Sequence, residues 1–370
     1  MKKRIFFILL LVSLTLVLFS CGNTDSDESF NDTSESSLFA SEESEISEES
    51  ETTEESSEMS FATSFPDPLE VGFEKYPNPF LGFAADPDIV FKDGKYYYCY
   101  SAGGSIFVSS FDDLGEATTH NAARVLSPIE GEPWARDIWA PELHWIDGHW
   151  YIYFAGSSGS NEYHRMFVLK SKTEDPMGEY EAPIKLTDPT DKWAIDGTVF
   201  KYKGELYYVW SGWPGDENVV QNIYISKMES PTELSGKRLI LSMPINSWEK
   251  GGGKPLVNEG PYAIVDGDYL TILYSASGSW SDEYCIGQLL FMGGDVLNSK
   301  CWKKQPQPIL KATKEKFYGP GHCSVVPDKN GVLWMVFHAN LEPNKGWAGR
   351  SGWMYPIRIN ENGVVEVVLY

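Results

Sequence analysis

Five times this chain writes the same phrase: an inner strand, a tight turn and a strand crowded with aromatic residues. The copies span residues 85–103, 140–156, 195–212, 259–278 and 322–339. Their turns fall at Asp93-Gly94, Asp147-Gly148, Lys203-Gly204, Asp266-Gly267 and Asn330-Gly331. An Asp-Gly or Asn-Gly pair between apolar runs marks a two-residue hairpin, because its backbone must take positive φ. The turns lie 54, 56, 63 and 64 residues apart. A further strand pattern follows each hairpin, at 106–109, 166–169, 223–226, 284–287 and 354–359. One hairpin with flanking strands at this period matches a four-stranded propeller blade. The expected fold is therefore all-β, a five-bladed β-propeller.

Counting back seven residues from each turn gives a column: Asp86, Ala140, Asp196, Glu259 and, one residue looser, His322. The next position reads Pro87, Pro141, Gly197, Gly260 and Cys323. The innermost strand of every blade runs beside the propeller axis, so equivalent positions converge on one end of the channel. Three carboxylates and an imidazole, each from a different blade, are expected in one small space.

The chain ahead of the repeats is of another kind. Residues 1–20 open with Lys2-Lys3-Arg4 and continue as an apolar run, 5–19, short for a membrane span of ~20 residues but suited to a secretory leader. The run ends Leu18-Phe19-Ser20-Cys21-Gly22 and resembles the lipobox of bacterial lipoproteins, whose cysteine is acylated after cleavage. Two acyl chains on Cys21 would suffice for stable anchoring. Residues 21–65 form a Ser- and Glu-rich linker with 14 acids and no Lys or Arg. Such a segment buries too little surface to offset its ordering entropy and is expected to be a disordered, extended tether. The folded domain is assigned to 66–370, exported and held at a bacterial membrane or surface.

The whole chain carries 53 acids against 30 bases, a net charge of −23. Removing the linker acids and the leader bases still leaves the domain near −12, from 39 acids and 27 bases. Nucleic acid is excluded as a partner, because binding it rests on Lys and Arg against phosphate. No nucleotide-binding glycine motif follows any strand. Cys99, Cys285, Cys301 and Cys323 show no metal-type spacing. The domain is expected to be a monomer.

Carboxylates gather in a protein when a cation, a metal or a reaction requires them. Hydrolysis of a glycosidic bond requires two, one protonated to assist the leaving oxygen and one ionised to activate water or attack. Crowding raises the pKa of one partner and keeps it protonated near neutrality. Acidic turn caps or a structural calcium site are the plain alternatives.

The motifs Ala85-Asp86-Pro87-Asp88-Ile89, Trp139-Ala140-Pro141-Glu142, Ile195-Asp196-Gly197, Asn258-Glu259-Gly260-Pro261 and Gly321-His322 occur in order at blade spacing. In these the chain resembles glycoside hydrolase family 43, whose members act on arabinans, xylans and related plant polysaccharides. The resemblance runs from about Tyr76 onward. It implies that Asp86 is the general base, Asp196 the residue that tunes and positions the acid, and Glu259 the general acid. It also implies inversion at the anomeric carbon, for which the carboxyl groups stand about 6.5–9.5 Å apart. No cofactor is needed for that chemistry. In some members the histidine equivalent to His322 binds a water-rich calcium or sodium ion near the axis, and in others it hydrogen-bonds within the site. Trp139 and Phe83 are the candidate walls of the sugar pocket, and Arg350 resembles an arginine turned toward the sugar or the base.

Within the family the favoured activity is that of an α-L-arabinofuranosidase, acting from chain ends on α-1,5-arabinan. Endo-arabinanase and β-xylosidase use the same machinery and remain alternatives. So does a surface glycan-binding lipoprotein without catalysis, which loss of one column carboxylate would indicate. All three carboxylates are present.

Overall fold

The computed structural model describes residues 61–370. The expected leader, Cys21 and the linker up to residue 60 lie outside the described residues. Blade I comprises β1 (Asp88–Lys92), β2 (Lys95–Ala102), β3 (Ser105–Phe111) and β4 (Ala123–Leu126). Blade II comprises β5 (Arg136–Ile146), β6 (His149–Ser157), β7 (Arg165–Lys170) and β8 (Ile184–Leu186). Blade III holds β9 (Ala194–Tyr202), β10 (Glu205–Gly212), β11 (Val220–Ser230) and β13 (Leu239–Ser242), with β12 (Glu233–Leu234) as a spur on β11. Blade IV follows as β14 (Leu256–Asp266), β15 (Tyr269–Ala276), β16 (Cys285–Phe291) and β17 (Trp302–Lys304). Blade V ends the chain as β18 (Tyr318–Pro327), β19 (Leu333–Asn340), β20 (Arg350–Ile359) and β21 (Val365–Val367). In each blade the strands pair antiparallel in chain order, as short turns dictate.

Five apolar clusters fill the seams between successive blades. Val108 and Trp150 belong to the cluster between I and II, Tyr153 and Tyr208 to that between II and III, and Val209 and Leu270 to that between III and IV. Leu273 and Met335 belong to the cluster between IV and V, and Ile89 and Trp334 to that between V and I. Full burial of each such side chain contributes roughly 1.5–3 kcal/mol. Phe61 and Phe65, which composition places in the linker, pack on the IV–V cluster. The Ser64 amide donates to the Asp266 carboxylate beside them, so the packed chain starts ahead of Pro66.

Among the described residues no blade borrows a strand from the other end of the domain. The ring closes instead through the V–I cluster and through the segment before blade I, which docks on β20. Leu81 bridges Gly352, the Phe80 amide donates to the Gly352 carbonyl, and Asn78 exchanges two hydrogen bonds with the Met354 backbone. Near the axis each seam also has a polar tie. Asp88 accepts from the Leu143 amide at 2.7 Å, and Thr198 hydrogen-bonds Glu142. Asp196 accepts from the Gly260 amide at 3.1 Å, and the His322 amide donates to Ser275 at 2.7 Å. Ser324 donates to the Pro87 carbonyl and accepts from the Ile89 amide, completing the circle.

The turns correct the column in one blade. Asp93-Gly94, Asp147-Gly148 and Lys203-Gly204 have positive φ at both residues, as a type I′ turn requires. In blade IV, Asp266 pairs with Tyr269, so the turn is Gly267-Asp268, one residue later than the sequence pattern suggests. In blade V, Pro327 pairs with Leu333 and the connection spans 328–332. The residues that share a backbone position are therefore Asp86, Ala140, Asp196, Gly260 and His322. All five have left-handed φ, between 43° and 55°. From β5 to β18, each inner strand bulges there: 140–141, 196–197, 260–261 and 322–323 each oppose a single residue of the neighbouring strand. Such a bulge bends the strand and re-aims its side chains. Glu259 sits one place earlier, where blade II carries Trp139.

Gly260 is glycine for two reasons. Its φ is 51°, and a Cβ there would stand 3.1 Å from the His322 ring. Gly260→Ala is expected to cost about 1–3 kcal/mol of stability, from backbone strain and displacement of His322. Urea denaturation measures this, and an unchanged midpoint would contradict it.

Candidate active site

The bulges bring Asp86, Asp196, Glu259 and His322 together at one end of the axis. Asp86, on the approach to β1, takes its three close side-chain contacts from blade V. His322 Nδ1, His338 Nδ1 and an Arg350 guanidinium nitrogen each lie 3.3 Å from its Oδ1. The Asp86 amide also lies 3.1 Å from His338 Nδ1, so one imidazole nitrogen meets both the backbone and the carboxylate of Asp86. Burial drives His338 down to about 3 and lowers His322 as well. Arg350 is thus the permanent positive charge against Asp86. Burial alone would raise the Asp86 carboxyl, but His322, Arg350 and His338 outweigh it and hold it well below the usual carboxylate range. Its side chain keeps 19 % of its surface open, enough to meet water.

Asp196 and Glu259 have the opposite balance. Burial raises Asp196 well above its ordinary value, and the neighbouring charges of Glu259 and Asp86 add to the rise. Its Oδ2 accepts from the Gly260 amide, so it grips the peptide immediately after Glu259. Burial raises Glu259 to about 7, against the lowering effects of the Tyr284 hydroxyl and Arg350. Tyr284 donates to Glu259 Oε1 at 2.9 Å, and Ser279, beside this carboxyl, favours its ionised form. One carboxylate is held ionised and another is held near neutrality as an acid, which is the division of labour acid–base chemistry needs.

Trp139 is 38 % exposed, with its ring stacked on buried His164 at 3.9 Å between centroids. Phe83 is 69 % exposed on the approach to Asp86. Both offer open aromatic surface. His322 has one nitrogen turned to Asp86 and lies 3.8 Å from Asp196. Calcium and sodium prefer oxygen ligands, and among the described residues no group of three His, Cys, Asp or Glu side chains is placed to hold a metal. The residues present do not make a direct ligand set for a hard cation.

Sequence reasoning missed His338, Tyr284 and Ser279, because none sits on an inner strand. His338 ends a strand pattern and the other two lie in the 277–284 loop, so only packing brings them to the acids. Asp88 and Glu142, inside recognised motifs, prove to be buried channel residues raised by burial to about 7 and about 8.

Residues 76–365 match the sequence model of glycosyl hydrolases family 43. The chain is 33 % identical over 273 residues to an extracellular exo-α-(1→5)-L-arabinofuranosidase of Streptomyces chartreusis, covering 71 % of this chain and 82 % of that protein. It is also 33 % identical over 276 residues to the protein of the same description from Streptomyces avermitilis, covering 71 % of this chain but only 56 % of that longer relative. Among solved structures, an α-L-arabinofuranosidase from Lactobacillus brevis superposes with a TM-score of 0.71 at 29 % identity, over 79 % of this chain and 95 % of that one.

Proposed function

The chain belongs to glycosyl hydrolase family 43, and from that membership we propose that it is an α-L-arabinofuranosidase releasing arabinose from arabinan by inversion. What supports the mechanism is the contact of Arg350 with Asp86, which favours the ionised form, and the burial of Glu259, which favours the protonated form. Asp86 is the general base: ionised and partly open, it takes a proton from the water that attacks the anomeric carbon. Glu259 is the general acid: protonated near neutrality, it gives its proton to the departing glycosidic oxygen. Asp196 is a positioning residue, holding the amide of the peptide that follows Glu259. Arg350 keeps Asp86 ionised, and His338 fixes the Asp86 backbone. Trp139 and Phe83 flank the sugar. The balance of the reaction needs only water and the two carboxyl groups.

The relatives named above are extracellular by description, and the same is proposed here. Among the described residues no helix is long and apolar enough to cross a membrane. Anchoring through acylated Cys21 rests on the leader pattern that ends at residues 18–22.

Debranched arabinan digested by the full chain should yield arabinose alone, with the inverted anomer first in the proton NMR spectrum. Longer oligomers would make the enzyme an endo-arabinanase, and xylose from xylo-oligosaccharides a xylosidase. Glu259→Ala should abolish most turnover of arabinan, about 10²–10⁴-fold, while sparing substrates whose leaving group needs no proton. In the unmodified enzyme kcat/KM should fall as pH rises through about 7, because Glu259 then loses the proton it must donate. A fall on the acid side alone would remove Glu259 from the acid role. Cys21→Ser should move the enzyme from the membrane fraction to the medium; unchanged fractionation would exclude the lipid anchor.

A further inference from the structure

Two loops are locked together beside Glu259. One, 277–284, joins β15 to β16; the other, 341–349, joins β19 to β20. The Asp282 carboxylate accepts from the Asn344 amide through both oxygens, at 2.9 and 3.1 Å. Trp347 Nε1 donates to Ser279 Oγ at 3.1 Å. The Trp280 and Trp347 rings meet edge to face with centroids 6.4 Å apart, and Trp280 Nε1 is bound by the Gly252 carbonyl at 3.0 Å. Both indole N–H groups are thus satisfied and both rings are held in place.

Yet Trp347 is 61 % exposed. A rigid, hydrogen-bonded tryptophan left open to water contributes little to packing and offers a flat apolar face to a ligand. Its location says which ligand. Trp347 is tied to Ser279 of the loop whose last residue, Tyr284, donates to the Glu259 carboxyl, and three residues after Trp347 the chain delivers Arg350 to Asp86. The departing oxygen lies at Glu259 in the proposed mechanism, and the open Trp347 face stands on the pair of loops that reach Glu259 and Asp86.

We propose that Trp347, backed by Trp280, is the platform on which the leaving-group sugar of an arabino-oligosaccharide stacks. The proposal rests on the arabinan reading and adds the residue that selects for a saccharide leaving group. Binding of that sugar is made equally in ground state and transition state, so its loss raises KM and leaves kcat little changed.

The test compares the full chain with Trp347→Ala and Trp347→Phe on arabinotriose and on α-L-arabinofuranosyl fluoride, whose leaving group is a single atom. Trp347→Ala should raise KM for arabinotriose about tenfold, the scale expected for one buried aromatic face. It should leave kcat/KM for the fluoride unchanged. Trp347→Phe, which keeps a ring but loses the N–H, should retain most arabinotriose affinity. Equal losses on both substrates would show a loop that merely holds Glu259 and Arg350 in place, and would overturn the platform. Unchanged arabinotriose kinetics would overturn it as well. If the unmodified chain cleaves the fluoride but not arabinotriose, the arabinan reading itself fails, and the proposed ligand fails with it.

Discussion

Everything at the active end of this propeller depends on one repeated backbone distortion. At the same point of each inner strand, or just ahead of it in blade I, a residue turns to left-handed φ. Four of the five are not glycine: Asp86, Ala140, Asp196 and His322. Each non-glycine residue in that conformation costs of order 1–3 kcal/mol and persists only where surrounding structure over-determines it. Here the surroundings are the neighbouring blades, through the Asp196–Gly260, Ser275–His322 and His338–Asp86 hydrogen bonds. The ties that close the ring thus also hold the strain that aims the side chains.

Ring closure and catalytic charge are coupled by the same geometry. Asp86 leads into the first blade, while all three groups that hold it ionised belong to the last. With no strand shared across the V–I seam, the docking of Asn78, Phe80 and Leu81 on β20 keeps Arg350 within reach of Asp86. A domain loosened at this seam would lose its base before it lost its hairpins. Glu259 faces another seam, where burial and Tyr284 set its proton affinity. Two carboxylates of similar intrinsic chemistry are therefore driven apart by the blades that surround them.

The sequence by itself determined the repeat, and with it the fold. Turn pairs and alternating aromatic strands are local signals, read within a few residues, and five copies at blade period leave one closed arrangement that buries every face. It also determined that Asp86, Asp196, Glu259 and His322 converge, because inner strands of a ring have only one axis to share. Tertiary structure alone decided the rest. The Gly267-Asp268 turn moved blade IV by one residue, placing Gly260 in the bulge and Glu259 beside it, a shift that the Asp266-Gly267 pair concealed. His338, Tyr284, Ser279 and Trp347 reach the site from outer strands and loops. Which carboxyl keeps its proton follows from burial and from the nearness of Arg350, quantities set by side chains some 60 to 260 residues apart in the chain. Local chemistry writes the blades, and only their packing into a ring gives each acid its charge.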